Sequence, residues 1–155
     1  MSKAKQSAGI LLYRRGDAGL EFFLVHPGGP FWKNKDAGAW SIPKGEFETE
    51  DALTAASREF KEETGFDCDG EFIELQPLKQ RSGKMIYAFA LEQDLDASAV
   101  RSNEFEIEWP PRSGKKKSFP EVDKAGWFSY AAAKEKILPG QWAFIEELLE
   151  LLGVT

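Results

Sequence analysis

The sequence of 155 residues contains little cysteine and little histidine, and it has no long run of apolar residues. Its one cysteine, Cys68, excludes an internal disulfide framework and fits a reducing cytoplasm. Its one histidine, His26, is not accompanied by a nucleophile-elbow motif, so a Ser-His-Asp triad is not predicted. The apolar run from Ala8 to Tyr13 is too short for a signal or membrane segment. We therefore expect a cytoplasmic domain without a membrane partner.

The chain is acidic, with a formal net charge of −6. A general nucleic-acid-binding surface is not expected, because such surfaces are basic. A polyphosphate substrate would need metal cations, since the overall charge of the protein does not attract it. With 42% hydrophobic and 13% aromatic residues, the chain has enough apolar side chains to build a core. No repeat or linker interrupts it, so residues 1–155 are expected to form a single domain.

Hydrophobic patterns predict a mixture of strands and helices. The runs "AGILLYRR" and "LEFFLVHP", separated by "GDAG", are typical of a β-hairpin. Apolar residues at helical spacing predict a helix from Glu50 to Thr64 and another in "GQWAFIEELLELL". Further strands are predicted in "EFIELQPL", "KMIYAFALEQ" and "NEFEIEW", before a long loop, "PPRSGKKKSFPEVDKAGWF", that leads into a short strand around Trp127. These elements predict an α+β fold with a mixed sheet flanked by helices.

The stretch "SREFKEETGF" places three glutamates on one face of the first predicted helix, namely Glu59, Glu62 and Glu63. Glu59 and Glu63 are like charges one turn apart, which costs about 0.2–0.5 kcal/mol where they are exposed. Glu63 falls beside the apolar stripe, and burial of its charge would cost more unless a cation or a donor compensates. Two interpretations follow, a solvated acidic face or a site for a divalent cation with oxygen ligands, Mg²⁺ first and Mn²⁺ as an alternative. Arg58 can reach Glu62 one turn later.

The segment from Gly45 to Phe66 resembles the Nudix box. The matching residues are Arg58, Glu59, Phe60, Glu62, Glu63, Gly65 and Phe66. Seven residues separate Glu50 from Arg58, as in the pattern of this box, but only four separate Gly45 from Glu50 where the pattern has five, so the loop is one residue short. Alternatively, Asp51 takes the acidic position and the deletion lies in the helix. We prefer the loop deletion, because removing a helical residue would rotate everything before it by about 100°.

The resemblance implies a Nudix-like α/β/α sandwich and a metal-dependent pyrophosphohydrolase that cleaves a diphosphate bond in a nucleoside diphosphate–X substrate. It implies that Glu59, Glu62 and Glu63 are catalytic and coordinate the metal, together with the backbone carbonyl of Lys44. Glu50 and Arg58 would orient those carboxylates. Glu121 is the candidate for a later glutamate that serves as a base or a ligand, and its alternative is an exposed loop carboxylate.

Two further segments bear on the choice of substrate. "PKGE" and "SGKMIYAFALEQD" are similar to the corresponding segments of the diadenosine tetraphosphate hydrolases of this superfamily. Tyr87 would then stack on a base or bond a phosphate, and Lys44 adds a positive charge; the alternative for Tyr87 is a tyrosine at the core edge. Arg112 and Lys115, in "RSGKKK", offer charge for a long polyphosphate, or else belong to a solvated loop.

The favoured substrate is a dinucleoside polyphosphate. The alternatives are a nucleoside triphosphate, a capped RNA 5′ end, or a nucleotide that a non-catalytic Nudix domain binds. The partner is thus a small nucleotide, and nucleic acid is not expected beyond a capped end.

Overall fold

A β-hairpin opens the part of the chain that the computed structural model describes, residues 5–154. Strand β1 (Gln6–Gly16) and strand β2 (Gly19–Pro27) are antiparallel, with Gly16 opposite Gly19. Gly19 has a φ of 127°, in the left-handed region that favours glycine, so the sequence "GDAG" suits this tight connection. The predicted hairpin is confirmed.

The main sheet has seven strands, and β1 lies at its centre. Strand β6 is parallel to β1, β3 is antiparallel to the first residues of β1, and β9 lies beyond β2. The sheet is therefore mixed, as predicted. Besides the hairpin it contains β3 (Lys44–Phe47), β4 (Ile73–Glu74), β5 (Leu78–Lys79), β6 (Met85–Glu92) and β9 (Val122–Phe128).

Helices cover both faces of this sheet. Helix α1 (Ala52–Thr64) packs on one face, where Ala8, Ile10 and Leu12 of β1 meet Phe60. Helices α2 (Tyr130–Lys136) and α3 (Trp142–Leu151) pack on the other face, and short 3-10 turns lie at Ala97–Ala99 and Pro139–Gln141. Since side chains alternate along a strand, β1 contributes to both cores. The predicted α/β/α sandwich is confirmed.

Helix α1 begins two residues later than the sequence predicted. Asp51 is its N-cap, and the Asp51 carboxylate accepts a hydrogen bond from the Thr54 amide at 3.2 Å. The helix ends at Gly65, as predicted, where a φ of 83° lets the Gly65 amide bond to the Lys61 carbonyl at 2.8 Å. The capping carboxylate of Asp51 therefore excludes Glu50 from the helix.

The segment after residue 108 differs from the predicted long loop. Strands β7 (Glu104–Glu108) and β8 (Lys116–Pro120) form a separate two-stranded sheet, and β9 is longer than a short strand around Trp127. Lys116 pairs with Glu106 at 3.9 Å across the two strands, so a cross-strand charge pair supports the hairpin. Lysine has a low strand propensity, which is why the sequence pattern favoured a loop here.

None of the helices within residues 5–154 has the length and apolar character needed to cross a membrane.

Candidate active site

The carboxylate of Glu59 lies against β3, in the space that Gly45 leaves by having no side chain. A Cβ atom on residue 45 would overlap the Glu59 carboxylate. Glu59 is 8% exposed, and its burial raises the pKa of its carboxyl group, while the hydrogen bond from Arg58 opposes that shift. The glycine that opens the box-like segment thus creates the room in which the first glutamate of the cluster sits.

Arg58 connects three carboxylates. Its Nε donates to Glu50 Oε1 at 3.1 Å, and its Nη1 donates to Glu59 Oε1 at 2.8 Å and to Glu62 Oε1 at 3.3 Å. The pKa of Arg58 is raised, first because of its hydrogen bond to Glu50. Glu50 is therefore the acidic residue that pairs with Arg58, and Asp51 caps the helix instead. This arrangement supports the alignment with the deletion in the loop.

Glu63 is half-buried and faces the backbone of β3. Its Oε1 accepts a hydrogen bond from the amide of Lys44 at 3.3 Å. Burial raises the pKa of Glu63 to about 8, against the opposing effect of the Lys44 amide. The negative charge of Glu121 adds to the rise. The Lys44 amide thus lies next to Glu63, and the role of the Lys44 carbonyl as a ligand stays a prediction.

Glu121, which lies between β8 and β9, is close to this cluster although it is distant from α1 in the sequence. It is half-buried between β8 and β9, and its pKa is raised by burial and by the charge of Glu62. Asn103 links the two glutamates through its backbone, because its amide donates to the Glu62 carbonyl and its carbonyl accepts from the Glu121 amide, each at 2.8 Å. The Gly28 amide also donates to the Glu121 carbonyl, at 2.9 Å. The structure therefore brings Glu121 to the end of α1 rather than leaving it on an exposed loop.

The side chain of Lys44 is half-buried at the same site. Burial lowers the pKa of its ammonium group, the nearby charge of Lys84 lowers it further, and the charge of Glu63 opposes both effects. Lys84 itself pairs with Glu46 at 2.8 Å. A positive charge that is poorly solvated and lies beside the glutamates suits an anionic ligand.

Tyr87 lies on β6 at the edge of the core beneath α1. Its ring packs edge-on against Phe47, with 6.0 Å between the ring centroids. Tyr87 is opposite Ala8, which is in turn opposite Gly45, so two strand spacings separate Tyr87 from the glycine of the box. The core-edge position that was the alternative for Tyr87 is present, and its contact with a substrate stays a prediction.

Arg112 and Lys115 lie at the exposed tip of the β7–β8 hairpin. The backbone amide of Arg112 donates to Glu108 Oε1 at 2.8 Å, within the hairpin itself. In the part of the chain that the structure describes, no hydrogen bond or ion pair joins either residue to the glutamate cluster. The structure therefore does not bring these two residues together with the rest of the predicted site.

His26 is buried away from the cluster and has both ring nitrogens engaged. Nδ1 lies 2.7 Å from Asp123 Oδ1, and Nε2 lies 2.7 Å from the Lys35 carbonyl oxygen. The imidazole thus connects β2, β9 and the segment after β2.

A cavity of about 190 Å³ opens beside the cluster and was not predicted from the sequence. Its lining residues include Glu63, Glu121, Trp32 and Leu138. Trp32 belongs to the glycine-rich segment "GGPFWKNKDAGAW", which the sequence indicates only as a loop. The sequence signal that could have indicated a role for Trp32 is its position as a large aromatic residue in a segment otherwise rich in glycine and charged residues.

The donor set of the cluster fits a divalent cation. Glu59, Glu62, Glu63 and Glu121 present only oxygen atoms, which Mg²⁺ and Mn²⁺ prefer. Burial raises the pKa of three of these carboxyls, so their charges are poorly compensated by Arg58 and Lys44. In this structure Glu59, Glu62 and Glu63 accept hydrogen bonds from protein donors, and within residues 5–154 no three acidic, histidine or cysteine side chains are grouped closely enough to hold an ion. A shared ion would need them to turn from those donors.

Comparison with known proteins gives the same family as the box-like segment. The sequence model of the NUDIX domain matches residues 3–148. A search of curated protein sequences finds no significant match.

Solved structures are similar over nearly the whole chain. The NUDIX domain of Shewanella oneidensis NrtR, solved with ADP ribose, has a TM-score of 0.68 at 15% identity, with 98% of this chain and 90% of that chain covered. A binary complex of C. elegans Ap4A hydrolase has a TM-score of 0.64 at 20% identity, with coverages of 95% and 98%. The C-terminal domain of mouse MUTYH, solved with human PCNA, has a TM-score of 0.63 at 14% identity, with coverages of 99% and 92%. At these identities the similarity is one of fold.

Proposed function

This chain belongs to the Nudix family, since the NUDIX domain model matches residues 3–148, and we propose that it is a metal-dependent pyrophosphohydrolase of nucleoside diphosphate–X compounds. Membership in the family supports the predicted enzyme class, a hydrolase that acts on phosphoric anhydride bonds. The observation that carries the proposal is the gathering of Glu59, Glu62, Glu63 and Glu121 around Arg58 and Lys44. We also propose that residues 1–155 act as one domain.

Glu59, Glu62 and Glu63, with the Lys44 carbonyl, are the residues that would hold Mg²⁺ or Mn²⁺. A bound cation of this kind neutralises phosphate oxygens and lowers the pKa of water. The contribution of the chain itself is positional: Arg58 fixes the carboxylates of Glu59 and Glu62 while it is held by Glu50.

Glu121 is the proposed general base. Its carboxyl pKa is raised by burial and by Glu62, which brings it toward the range in which a base can take a proton at neutral pH. Within the described residues, its carboxylate has no hydrogen bond, whereas the carboxylates of Glu59 and Glu63 each accept one. We therefore assign to Glu121 the proton of an attacking water.

The proposed substrate is a dinucleoside polyphosphate, on the basis of the "PKGE" segment and Tyr87. ADP ribose, the ligand in the NrtR domain structure, is a shorter compound of the same chemical class. A nucleoside triphosphate or a capped RNA end is the alternative. Glu59, Glu62 and Glu63 are all present, which disfavours a binding domain without turnover, because such a domain has no need of a costly anionic cluster. The proposed location is the cytoplasm.

The test is a mass-spectrometric screen of products from a nucleotide panel with Mg²⁺ and with Mn²⁺. The panel contains diadenosine tetraphosphate, ADP ribose, nucleoside triphosphates and a capped RNA. We expect cleavage of diphosphate bonds that is abolished by EDTA and reduced by at least about 100-fold in Glu63→Gln. Turnover that persists equally in EDTA and in the variant contradicts the proposal, and so does the absence of any product.

A further inference from the structure

The cavity of about 190 Å³ beside Glu63 and Glu121 is lined by both charged and apolar side chains. We propose that this cavity receives the base of the nucleotide substrate, that Trp32 stacks on the base, and that the site accepts different bases. The proposal rests on the proposed function, because it takes the glutamates as the place of the diphosphate. It assigns a role to a segment that neither the box nor the cluster includes.

The volume of the cavity suits one part of a nucleotide, because sites for whole small molecules have volumes of about 300–1,000 Å³. Lys44, Glu63 and Glu121 are its charged lining residues, while Trp32 and Leu138 are among the apolar ones. A group that is linked to a diphosphate at the glutamates would therefore lie against apolar side chains of the same cavity. In a nucleotide that group is the nucleoside, and its flat, apolar portion is the base.

Trp32 is held in place before a ligand arrives. Its carbonyl accepts from the Lys35 amide at 3.0 Å, and the ammonium of Lys35 lies 5.1 Å from the centroid of the Trp32 ring. The Lys35 carbonyl is in turn bonded to the buried ring of His26 at 2.7 Å. Trp32 is also only partly buried where it packs against the core. Lys35 lies over one face of the indole, and Trp32 also lines the cavity, where a flat ring could stack on it.

The walls of the cavity offer few donors that could read the edge of a base. The backbone amides in the walls are already bonded. Val25 and Ser41 each donate to the other's carbonyl at 2.9 Å, Ile42 donates to Gln141 Oε1 at 3.0 Å, and Leu138 donates to the Trp40 carbonyl at 2.8 Å. The Ser41 hydroxyl donates to the Ile42 carbonyl at 2.7 Å and accepts from Gln141 Nε2 at 2.9 Å. A base is thus recognised by stacking, which every base can provide.

The experiment measures binding by calorimetry with Mg²⁺ present, using ADP, GDP and inorganic pyrophosphate. We expect Trp32→Ala to weaken ADP and GDP by about 5- to 150-fold, which corresponds to about 1–3 kcal/mol for one stacked base. Binding of pyrophosphate should be unchanged, and Trp32→Phe should keep most of the affinity for ADP. The matched control is Phe31→Ala, because Phe31 lies in the same segment, is 63% exposed and does not line the cavity.

Two results overturn the inference: equal weakening of ADP and pyrophosphate in Trp32→Ala, or unchanged binding of both. If Trp32→Ala does not fold, wild-type protein still decides, because ADP must bind more tightly than pyrophosphate. In addition, ADP and GDP must differ by less than about 10-fold, as expected for an apolar slot without edge contacts. A protein that binds ADP through Trp32 but cleaves no nucleotide would refute the catalytic function and leave the inference standing. Cleavage of nucleotides by a protein whose ADP binding is unchanged in Trp32→Ala would support the catalytic function and refute the inference.

Discussion

The backbone amide of Lys44 and the carboxylate of Glu63 are joined by a hydrogen bond of 3.3 Å, which links β3 to α1 beside the glutamate cluster. One amide donor does not compensate for the burial of this carboxylate, whose pKa rises to about 8. The ionised form of Glu63 therefore destabilises the folded state unless a cation is bound.

The pH dependence of stability in EDTA tests this relationship. Glu63 keeps its proton to a higher pH in the folded state than in the unfolded state, so stability is lost as pH rises from about 4.5 to about 8. Glu63→Gln has no charge to lose. We expect its melting temperature to exceed that of the wild type at about pH 8, by about 2–4 °C for each kcal/mol gained, and to differ little at about pH 5. Parallel curves for the two proteins between these pH values would show that Glu63 does not titrate in this way.

Glu50 and Asp51 can be separated by their different contacts. Glu50 is held by Arg58, whereas Asp51 caps α1. We expect Glu50→Gln to reduce turnover less than Glu59→Gln does, because Glu50 acts through Arg58. Asp51→Asn should have little effect, since asparagine caps a helix as well as aspartate, while Asp51→Ala should cost about 0.5–2 kcal/mol of stability. The measurements are turnover and urea unfolding. A large loss of turnover in Asp51→Asn alone would place the deletion in the helix instead.

Local spacing accounts for what the sequence could predict. The face shared by Glu59, Glu62 and Glu63 follows from the helical repeat, and Gly65 marks the end of the same helix. The contact between Arg58 and Glu62 is also one turn long, and it is present at 3.3 Å. Such features depend only on residues that are close in the sequence, so they can be predicted from a single sequence.

Contacts between distant segments account for what the sequence could not predict. Asn103 positions Glu121 through backbone atoms, and backbone atoms carry no sequence signal. Trp32 reaches the cavity only because β2, β3 and the segment before α3 meet there. The β7–β8 hairpin pairs two strands that carry glutamates on one side and lysines on the other, and along the chain this composition is typical of a charged loop. In each case the position of the residue is determined by contacts between segments that are distant in the sequence, and local composition does not indicate those contacts.

The predicted polyphosphate contact of Arg112 and Lys115 can be tested with substrates of different length. Each exposed contact with a phosphate should contribute about 0.2–1 kcal/mol, so replacing both residues with glutamine should raise KM severalfold for diadenosine tetraphosphate. ADP ribose, with two phosphates, should be affected little. Raising the salt concentration should reproduce the effect, since exposed charges are screened over about 8–10 Å. The measurement is kcat/KM for both substrates at low and moderate salt. Equal losses for the two substrates, or none for either, would remove the hairpin tip from the site.

Gly45 provides the test of whether the position of Glu59 matters for turnover. A methyl group on residue 45 would occupy the space of the Glu59 carboxylate, while the backbone of Gly45 has no left-handed φ that alanine would strain. We expect Gly45→Ala to move Glu59 and to reduce turnover by about 10- to 100-fold, as is usual when the support of a metal ligand is lost.

Gly140 is the matched control for this substitution. It also lacks a left-handed φ, and a Cβ atom there would meet no atom within 4 Å, so Gly140→Ala should keep full turnover. Thermal melting of both variants separates an effect on the site from an effect on folding. Shortening the other partner, in Gly45→Ala combined with Glu59→Asp, should restore space at β3 and relieve part of the folding cost of Gly45→Ala. Normal turnover in Gly45→Ala would mean that the carboxylate of Glu59 acts from a different position than the one it occupies against β3.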